Sequence, residues 1–470
     1  MNGRQRLVRV FRLADLMSLS ISSVAPVFSI AAAGGAIMGA AGTGTLWAIL
    51  LIGLPFLLSS VVFRLLNQHF PHAGASYHWS RRILGYRMAR FQSWILFWAY
   101  FSSLPPIILP AAAYSADLLG LPVFRAQTLL GIGAIWVVVA VGVLLGGSRV
   151  VAGITKTFML IEFGSLLVFV VVGMMHGNSS LGVFLRFPGI SQWHGVWIAA
   201  VIGATALDGW EIDSYAAEES RQPRKDPGWG GIVGAIGALA IYVVVYPIMV
   251  QDVGLHRLAN SLNPWMMWGH RLFRHHQTLA LLPVLVSTAG SLWLTAYILT
   301  RIMFAMSRDR ELPAWISRVN RRGVPAKATM LILGLAFGVA SLEVIMPSVD
   351  TFFNLILSLA GLFLTLEFLL DSLTASVFLF KLHPGWFPDA WTPHRHWGAS
   401  VAAYLSVLLL FLLVVGFFLF APQIMGPTAD VVALGILLAG IGFAIRGRRT
   451  SQRFWVFQPE WDGLDLAEEE

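Results

Sequence analysis

The sequence predicts an all-α integral membrane protein of about twelve transmembrane helices. Ten of them are expected to form a five-plus-five inverted repeat in which helices 1 and 6 are discontinuous. Three observations carry that expectation: the composition, the spacing of the apolar runs, and two matching interruptions within them. Of 470 residues, 57% are hydrophobic and only 12% are charged, and mean hydropathy is +0.72. A soluble domain carries roughly 25% charged residues, so this chain lacks the charge to clothe a globular surface in water. A membrane-spanning helix needs about 20 apolar residues. The runs here are continuous rather than alternating, which favours helices over barrel strands. There is no cysteine, which excludes disulfides and thiolate chemistry.

Twelve runs fit a spanning helix: 13–39, 44–66, 90–119, 127–147, 155–176, 194–217, 229–251, 278–306, 328–346, 351–379, 399–421 and 428–446. Lys and Arg orient them. An N-terminus inside places 27 of the 32 basic residues on the cytoplasmic side, leaving only Arg125, Arg186, Arg257, Arg271 and Arg274 outside. Both termini are therefore expected in the cytoplasm of a multi-pass protein of the cell (plasma or inner) membrane. The net charge of +8 then faces the anionic leaflet, so lipid rather than nucleic acid is the expected partner. The first run lacks a small-residue cleavage site and reads as a span, not a removed signal. The chain divides into an N-terminal arm (1–12), a ten-helix inverted-repeat core (13–379), two additional C-terminal helices (380–446) and a cytoplasmic tail (447–470) ending in the acidic "WDGLDLAEEE".

The interruptions are the most informative elements. "ATALDGWEIDSYAAEE" (204–219) sets Asp208, Glu211 and Asp213 within an apolar run. An Asp at the centre of a spanning helix costs about 2.5–3.5 kcal/mol on insertion scales. The Asp208–Glu211 spacing is that of a capping box, with Asp208 capping a new helix that begins near Gly209. Span six therefore reads as two half-helices whose break lines a cavity. In span one, Ser20, Ser22 and Ser23 precede Pro26. Proline is tolerated in a first helical turn, so a second half-helix is expected near Ser23; the plainer alternative is a serine-bearing kink. Interruptions five spans apart are the pattern of an inverted repeat with its binding site near the bilayer midplane. The amino end of the second half-helix of span one suits an anionic group. The carbonyls ending the first half of span six, with a carboxylate, suit an ammonium. Together these describe an α-amino acid.

Three passages resemble the amino acid–polyamine–organocation (APC) superfamily of secondary transporters. "FPHAGASYHWSRRILG" (70–85) is similar to its Pro-x-x-Gly-Gly-x-Tyr loop, with Ala75 at the second glycine. "LDGWEIDSYAAEESRQPRKDPGWGGI" (207–232) is similar to the sixth span and its exit, with Gln222 in place of the usual Asn. "RIMFAMSRDRELPAWISRVNRRGVPAKA" (301–328) resembles the loop after the eighth span, with Arg310 where Gly is usual. The resemblance extends over about residues 10–450. In span one, "SISSVAP" stands where the family often has Gly-Ser/Thr-Gly, so serines Ser22 and Ser23, beside Ala25, line the break.

The resemblance implies site residues. Glu211 matches the family's sixth-span glutamate, implying proton coupling or ammonium binding; a capping role is the alternative, and both can hold. Asp208 stands where the family is usually apolar, suiting a second positive group on the substrate or simply a cap. Trp210, after Gly209 at the break, matches an aromatic that covers substrate in relatives, or is a packed core ring. Glu162 in span five lies near where sodium binds in sodium-coupled relatives; a buried carboxylate there can carry a proton or serve as a structural partner for Ser22, Ser23 or span eight. Ser287, Thr288 and Ser291 in span eight are a less favoured sodium site, since such hydroxyls usually bond backbone. Tyr100, Ser102 and Ser103 precede Pro105 and Pro106, which should bend span three, and Tyr100 and Ser103 are candidate substrate contacts. Glu367 and Asp371 are four apart in span ten, where like charges repel, so at least one is expected to be protonated or paired, and no role is assigned to them.

The expected function is a secondary active permease for amino acids or related amines, working by alternating access and driven by protons. Sodium coupling or exchange is the rival within transport, and a non-transporting nutrient sensor the rival outside it. No nucleophile elbow, phosphate loop or cofactor motif is found, so neither enzyme activity nor a cofactor is expected, and the sequence sets no oligomeric state.

Overall fold

The computed structural model describes residues 7–123, 125–176, 187–274, 276–345, 349–381, 397–425 and 428–446. The acidic tail and the 382–396 connection lie outside them. Among the described residues, regular structure is helical, with one isolated bridge between Phe11 and Ser220. In order, the helices are α1 (Leu13–Ser23), α2 (Pro26–Ala41), α3 (Thr45–His69), α4 (Ala75–Ile83), α5 (Tyr86–Ser103), α6 (Pro105–Leu118), α7 (Ala126–Leu145), α8 (Ser148–His176) and α9 (Trp193–Leu207). There follow α10 (Ile212–Tyr215), α11 (Trp229–Val253), α12 (Leu255–Ala259), α13 (Pro264–Leu272), α14 (Thr278–Arg308), α15 (Ala326–Ile345), α16 (Val349–Lys381), α17 (Trp397–Met425) and α18 (Thr428–Ile445). Among the described residues, nine helical segments are long and apolar enough to cross a membrane, and the first, Leu13–His69, includes α1, α2 and α3.

Helix α8 shows how such a chain sorts its residues. Thr155, Glu162, Leu166, Phe169 and Gly173 recur at helical spacing and are buried. Leu160, Leu167, Val171 and Met174 recur on another face and are exposed. The exposed face is the oily one, because lipid rather than water surrounds it, and the carboxylate points inward. Helix α14 is buried along most of its length and packs against α2, α5, α6 and α8, so it forms the central post of the bundle.

Among the described residues, three spans are interrupted. Pro26 has no N–H to give Ser22; Ala25 instead donates to the Ser22 carbonyl at 3.1 Å, and Ala25 adopts a left-handed conformation (φ 47°, ψ 58°) before α2 starts with Pro26 in its first turn. The second half of span one thus begins at Pro26, three residues later than Ser23, because the proline sets where a helix can restart. Span three pauses at Leu104, before Pro105. In span six, α9 ends at Leu207, Asp208 is extended (φ −82°, ψ 174°) and Gly209 has φ +100°. The helix expected from Gly209 does not form: α10 covers only Ile212–Tyr215.

Candidate functional site

The two breaks touch. A Cβ on Gly209 would lie 2.6 Å from the Ser23 carbonyl oxygen and 2.7 Å from its carbon, so only glycine lets the spans meet this closely. The expected capping box does not form, since its two bonds would join the Asp208 and Glu211 side chains to each other's backbone N–H. Glu211 reaches back to accept the Gly209 N–H at 2.9 Å. The cap position of α10 falls to Glu211, not Asp208; the extended backbone of Asp208 turns its side chain toward a cavity instead.

That cavity is lined by Ser23, Tyr100, Ser103, Asp208, Gly209 and Ser291, all singled out in the sequence, and also by Phe28, Ile107, Thr205, Thr295 and Ile298. Thr205 lies three residues before Asp208 and Thr295 four after Ser291. Helical periodicity from the chosen residues would have found both. Among the described residues, Asp208 is its carboxyl-bearing side chain and no Lys, Arg or His lines it. A second hollow beside α8, lined by Leu160, Ile161, Val168, Phe169 and neighbours, offers almost no polar group and has no convergent chemistry.

Several expected contacts fall elsewhere. Trp210 does not line the cavity. Its ring packs at 5.1 Å centroid distance against both Phe63 and Phe368, because the turn at Gly209 directs it into the core. Ser22 and Ala25 are buried but off the cavity wall. The amino end of α2 is not free for an anionic ligand. Glu162 Oε1 accepts the Val27 N–H at 3.1 Å and the Ser287 hydroxyl at 2.6 Å. Ser287 in turn accepts the Phe28 N–H at 3.0 Å, and Ser29 N–H donates to the Ala25 carbonyl at 2.9 Å. The orphan amides of this helix start are thus met from within the protein. Thr288 donates to the Val284 carbonyl at 2.6 Å, so two of the three hydroxyls of the sodium alternative already have protein partners. At the carbonyl end of α9, Tyr242 donates to the Ala206 carbonyl at 2.6 Å.

The remaining carboxylates of 204–219 hold the loops below the site. Asp213 accepts the Gly228 and Gly231 N–H groups at 2.6 and 2.7 Å, capping the start of α11 as a carboxylate should. Glu218 accepts the Ala73 N–H at 2.9 Å and a fork of bonds from Arg308. Burial raises the Glu218 carboxyl, but Arg308 and that amide outweigh it and hold it below its ordinary value. Glu219, fully buried, pairs with buried Arg301 at 2.9 Å and accepts from Tyr297 and Ser148. Its backbone carbonyl accepts Val10 and Phe11 N–H at 2.8 and 2.9 Å, fastening the N-terminal arm. His72 and His78 stack at 3.8 Å beside this cluster. Burial, reinforced by the charges of Arg308, Arg82 and Arg81, pushes His72 well below its ordinary value, and burial dominates likewise at His78. Among the described residues, no three His, Asp or Glu side chains gather as metal ligands.

A family model described as amino acid permease matches residues 11–444 of the chain. The vacuolar cationic amino acid transporter 4 of Arabidopsis thaliana is 24% identical over 366 residues, 72% of this chain and 59% of that protein; the match thus spans less than two thirds of that relative. A branched-chain amino acid permease of Bacillus subtilis is 23% identical over 365 residues, 72% of this chain and 75% of the relative. A methylthioribose transporter of the same organism is 23% identical over 354 residues, 71% and 75% respectively.

Proposed function

The chain belongs to the amino acid permease family, and from that premise we propose that it is a proton-coupled secondary transporter of amino acids or related amines. It works by alternating access with twelve spans, ten of them (13–379) in an inverted repeat and two (380–446) appended. The protein sits in the cell membrane with both termini in the cytoplasm. Substrate binds at the touching breaks, its ammonium toward Asp208 and its polar remainder toward the hydroxyls of Ser23, Tyr100, Ser103 and Ser291.

One observation supports the coupling best. Glu162, on α8, is joined directly to the amino end of α2 and, through Ser287, to α14. An ionised carboxylate is a strong partner for a helix amino end, and a protonated one is weak. Loading a proton on Glu162 loosens α2 from α8 and α14, and unloading restores the link. Proton occupancy and the position of span one are thereby linked. Glu211, holding the Gly209 turn, is placed to do the same for span six.

The test is uptake of radiolabelled arginine, leucine, putrescine and methylthioribose into proteoliposomes under a proton gradient, under a sodium gradient, and with internal substrate alone. Proton-driven uptake that is lost in Glu162→Gln is the expected outcome. Uptake that follows sodium or internal substrate only replaces the coupling, and binding without flux makes the protein a sensor.

A further inference from the structure

Span ten contributes two carboxyls that neither capping nor substrate contact accounts for. They belong to a continuous hydrogen-bonded chain. The Tyr100 hydroxyl lies 3.0 Å from Glu211 Oε1 and 2.9 Å from Glu367 Oε1. The Tyr215 hydroxyl lies 2.6 Å from Glu367 Oε1 and 3.1 Å from Ser76 Oγ. Ser76 Oγ lies 2.7 Å from Asp371 Oδ2, with a weaker approach of 3.4 Å to Glu367.

Counting hydrogens decides the protonation. The five short links need five hydrogens, one apiece, and the hydroxyls of Tyr100, Tyr215 and Ser76 hold one each. A hydroxyl has a single hydrogen to donate. With a separate hydrogen in each link, the remaining two sit on carboxyl oxygens, which makes two of Glu211, Glu367 and Asp371 neutral acids. Two independent features agree. Glu367 Oε2 and Asp371 Oδ1 are buried without a partner, which a full carboxylate tolerates poorly in an apolar interior. Among the described residues, the groups acting on the three carboxyls are Tyr100, Tyr215, Ser76, Asp208, the Gly209 N–H on Glu211 and one another, with no basic side chain.

We propose that Glu211, Tyr100, Glu367, Tyr215, Ser76 and Asp371 form a proton relay, with two resident protons shared among three carboxyls, between the break at the cavity and the helix α4 below it. It rests on the proton-coupled reading. In the step from Glu211 to Glu367, the Glu211 O–H breaks as its hydrogen bonds to the Tyr100 oxygen. The original Tyr100 hydrogen passes to Glu367. One proton has moved, the tyrosine is unchanged, and the negative charge has moved the opposite way. Tyr215 and Ser76 carry the same exchange onward when Asp371 is the ionised member. Tyr100 also lines the cavity, so the relay begins at the substrate's own wall.

Two measurements test it. The first is the infrared difference between wild type and the isosteric triple variant Glu211→Gln/Glu367→Gln/Asp371→Asn at neutral pH. Two protonated-carboxyl bands and one carboxylate are expected; three carboxylates overturn the relay. The second uses proteoliposomes holding a pH-sensitive dye and given arginine, leucine or putrescine. Tyr215→Phe keeps the ring and removes the hydroxyl. It should slow proton-driven uptake at least tenfold while substrate exchange without net proton movement stays within twofold. Proton-driven uptake at wild-type rate in both Tyr215→Phe and Asp371→Asn overturns the relay and leaves proton coupling standing. If instead the wild type exchanges substrate without moving protons, coupling itself has failed, and the relay with it.

Discussion

The contact between the two breaks makes Gly209→Ala the most informative single substitution, and Gly85→Ala is its built-in control. Both glycines have nearly the same φ, +100° and +99°. A backbone in that region is strained for any L side chain by about 1–3 kcal/mol. Their surroundings differ. A Cβ at Gly85 would meet nothing within 4 Å, whereas at Gly209 it would lie 2.6 and 2.7 Å from the backbone of Ser23. Backbone cannot swing aside as a long side chain can, so overpacking adds about 1–3 kcal/mol there. The expected losses are therefore about 1–3 kcal/mol for Gly85→Ala and about 2–6 kcal/mol for Gly209→Ala. Thermal and denaturant unfolding of the purified variants in detergent would measure both, with uptake assayed alongside. Gly209→Ala should unfold more easily than Gly85→Ala and should alone lose uptake, because separating the breaks opens the cavity wall. Equal stability and intact uptake in the two variants would refute the contact.

Arg310 occupies a left-handed position (φ 64°) and is exposed, so Arg310→Gly should raise stability by about 0.5–1 kcal/mol, the relieved strain less glycine's extra chain entropy; an unchanged melting temperature speaks against it. Glu219→Ala leaves Arg301 buried and unpaired and should cost about 3–5 kcal/mol, with Glu219→Ala/Arg301→Met recovering part of that in the same unfolding assay. Glu162→Ala should destabilise more than Glu162→Gln by about 1–3 kcal/mol, since only the amide keeps an acceptor for Val27 N–H; matched midpoints would show that the helix end does not need the cap. The neutral forms of His72 and His78 are favoured by folding, since their values lie well below the ordinary 6.5. Their contribution is full above about pH 6.5 and is lost as pH falls toward the folded-state values. Melting temperature should thus drop on acidification, less steeply in His78→Gln, and identical pH slopes would exclude these rings as the source.

That the chain is helical and membrane-bound was legible from its residue order, because in lipid every backbone amide must be met within its own segment and the apolar runs are long enough to do so. Residue order also located the interruptions to within about three residues, near Ser23 and near Gly209, since the missing proline N–H and the glycine φ act within a few residues. Tertiary structure decided what the polar groups at those points do. Asp208 reads as a cap by spacing, yet it faces a cavity because its backbone is extended. Trp210 is one residue past the break, but the turn sends its ring toward Phe63 and Phe368. The amino end of α2 looks open in one dimension and is closed by Glu162 and Ser287, from spans more than a hundred residues away. Glu367 and Asp371 show in the sequence as like charges four apart, enough to expect one to be protonated or paired but not to name its partners. Their shared protons exist because Tyr100, Tyr215 and Ser76 arrive from three other helices, and hydrogen bonds are short-ranged and directional, so no spacing along one helix could have revealed them.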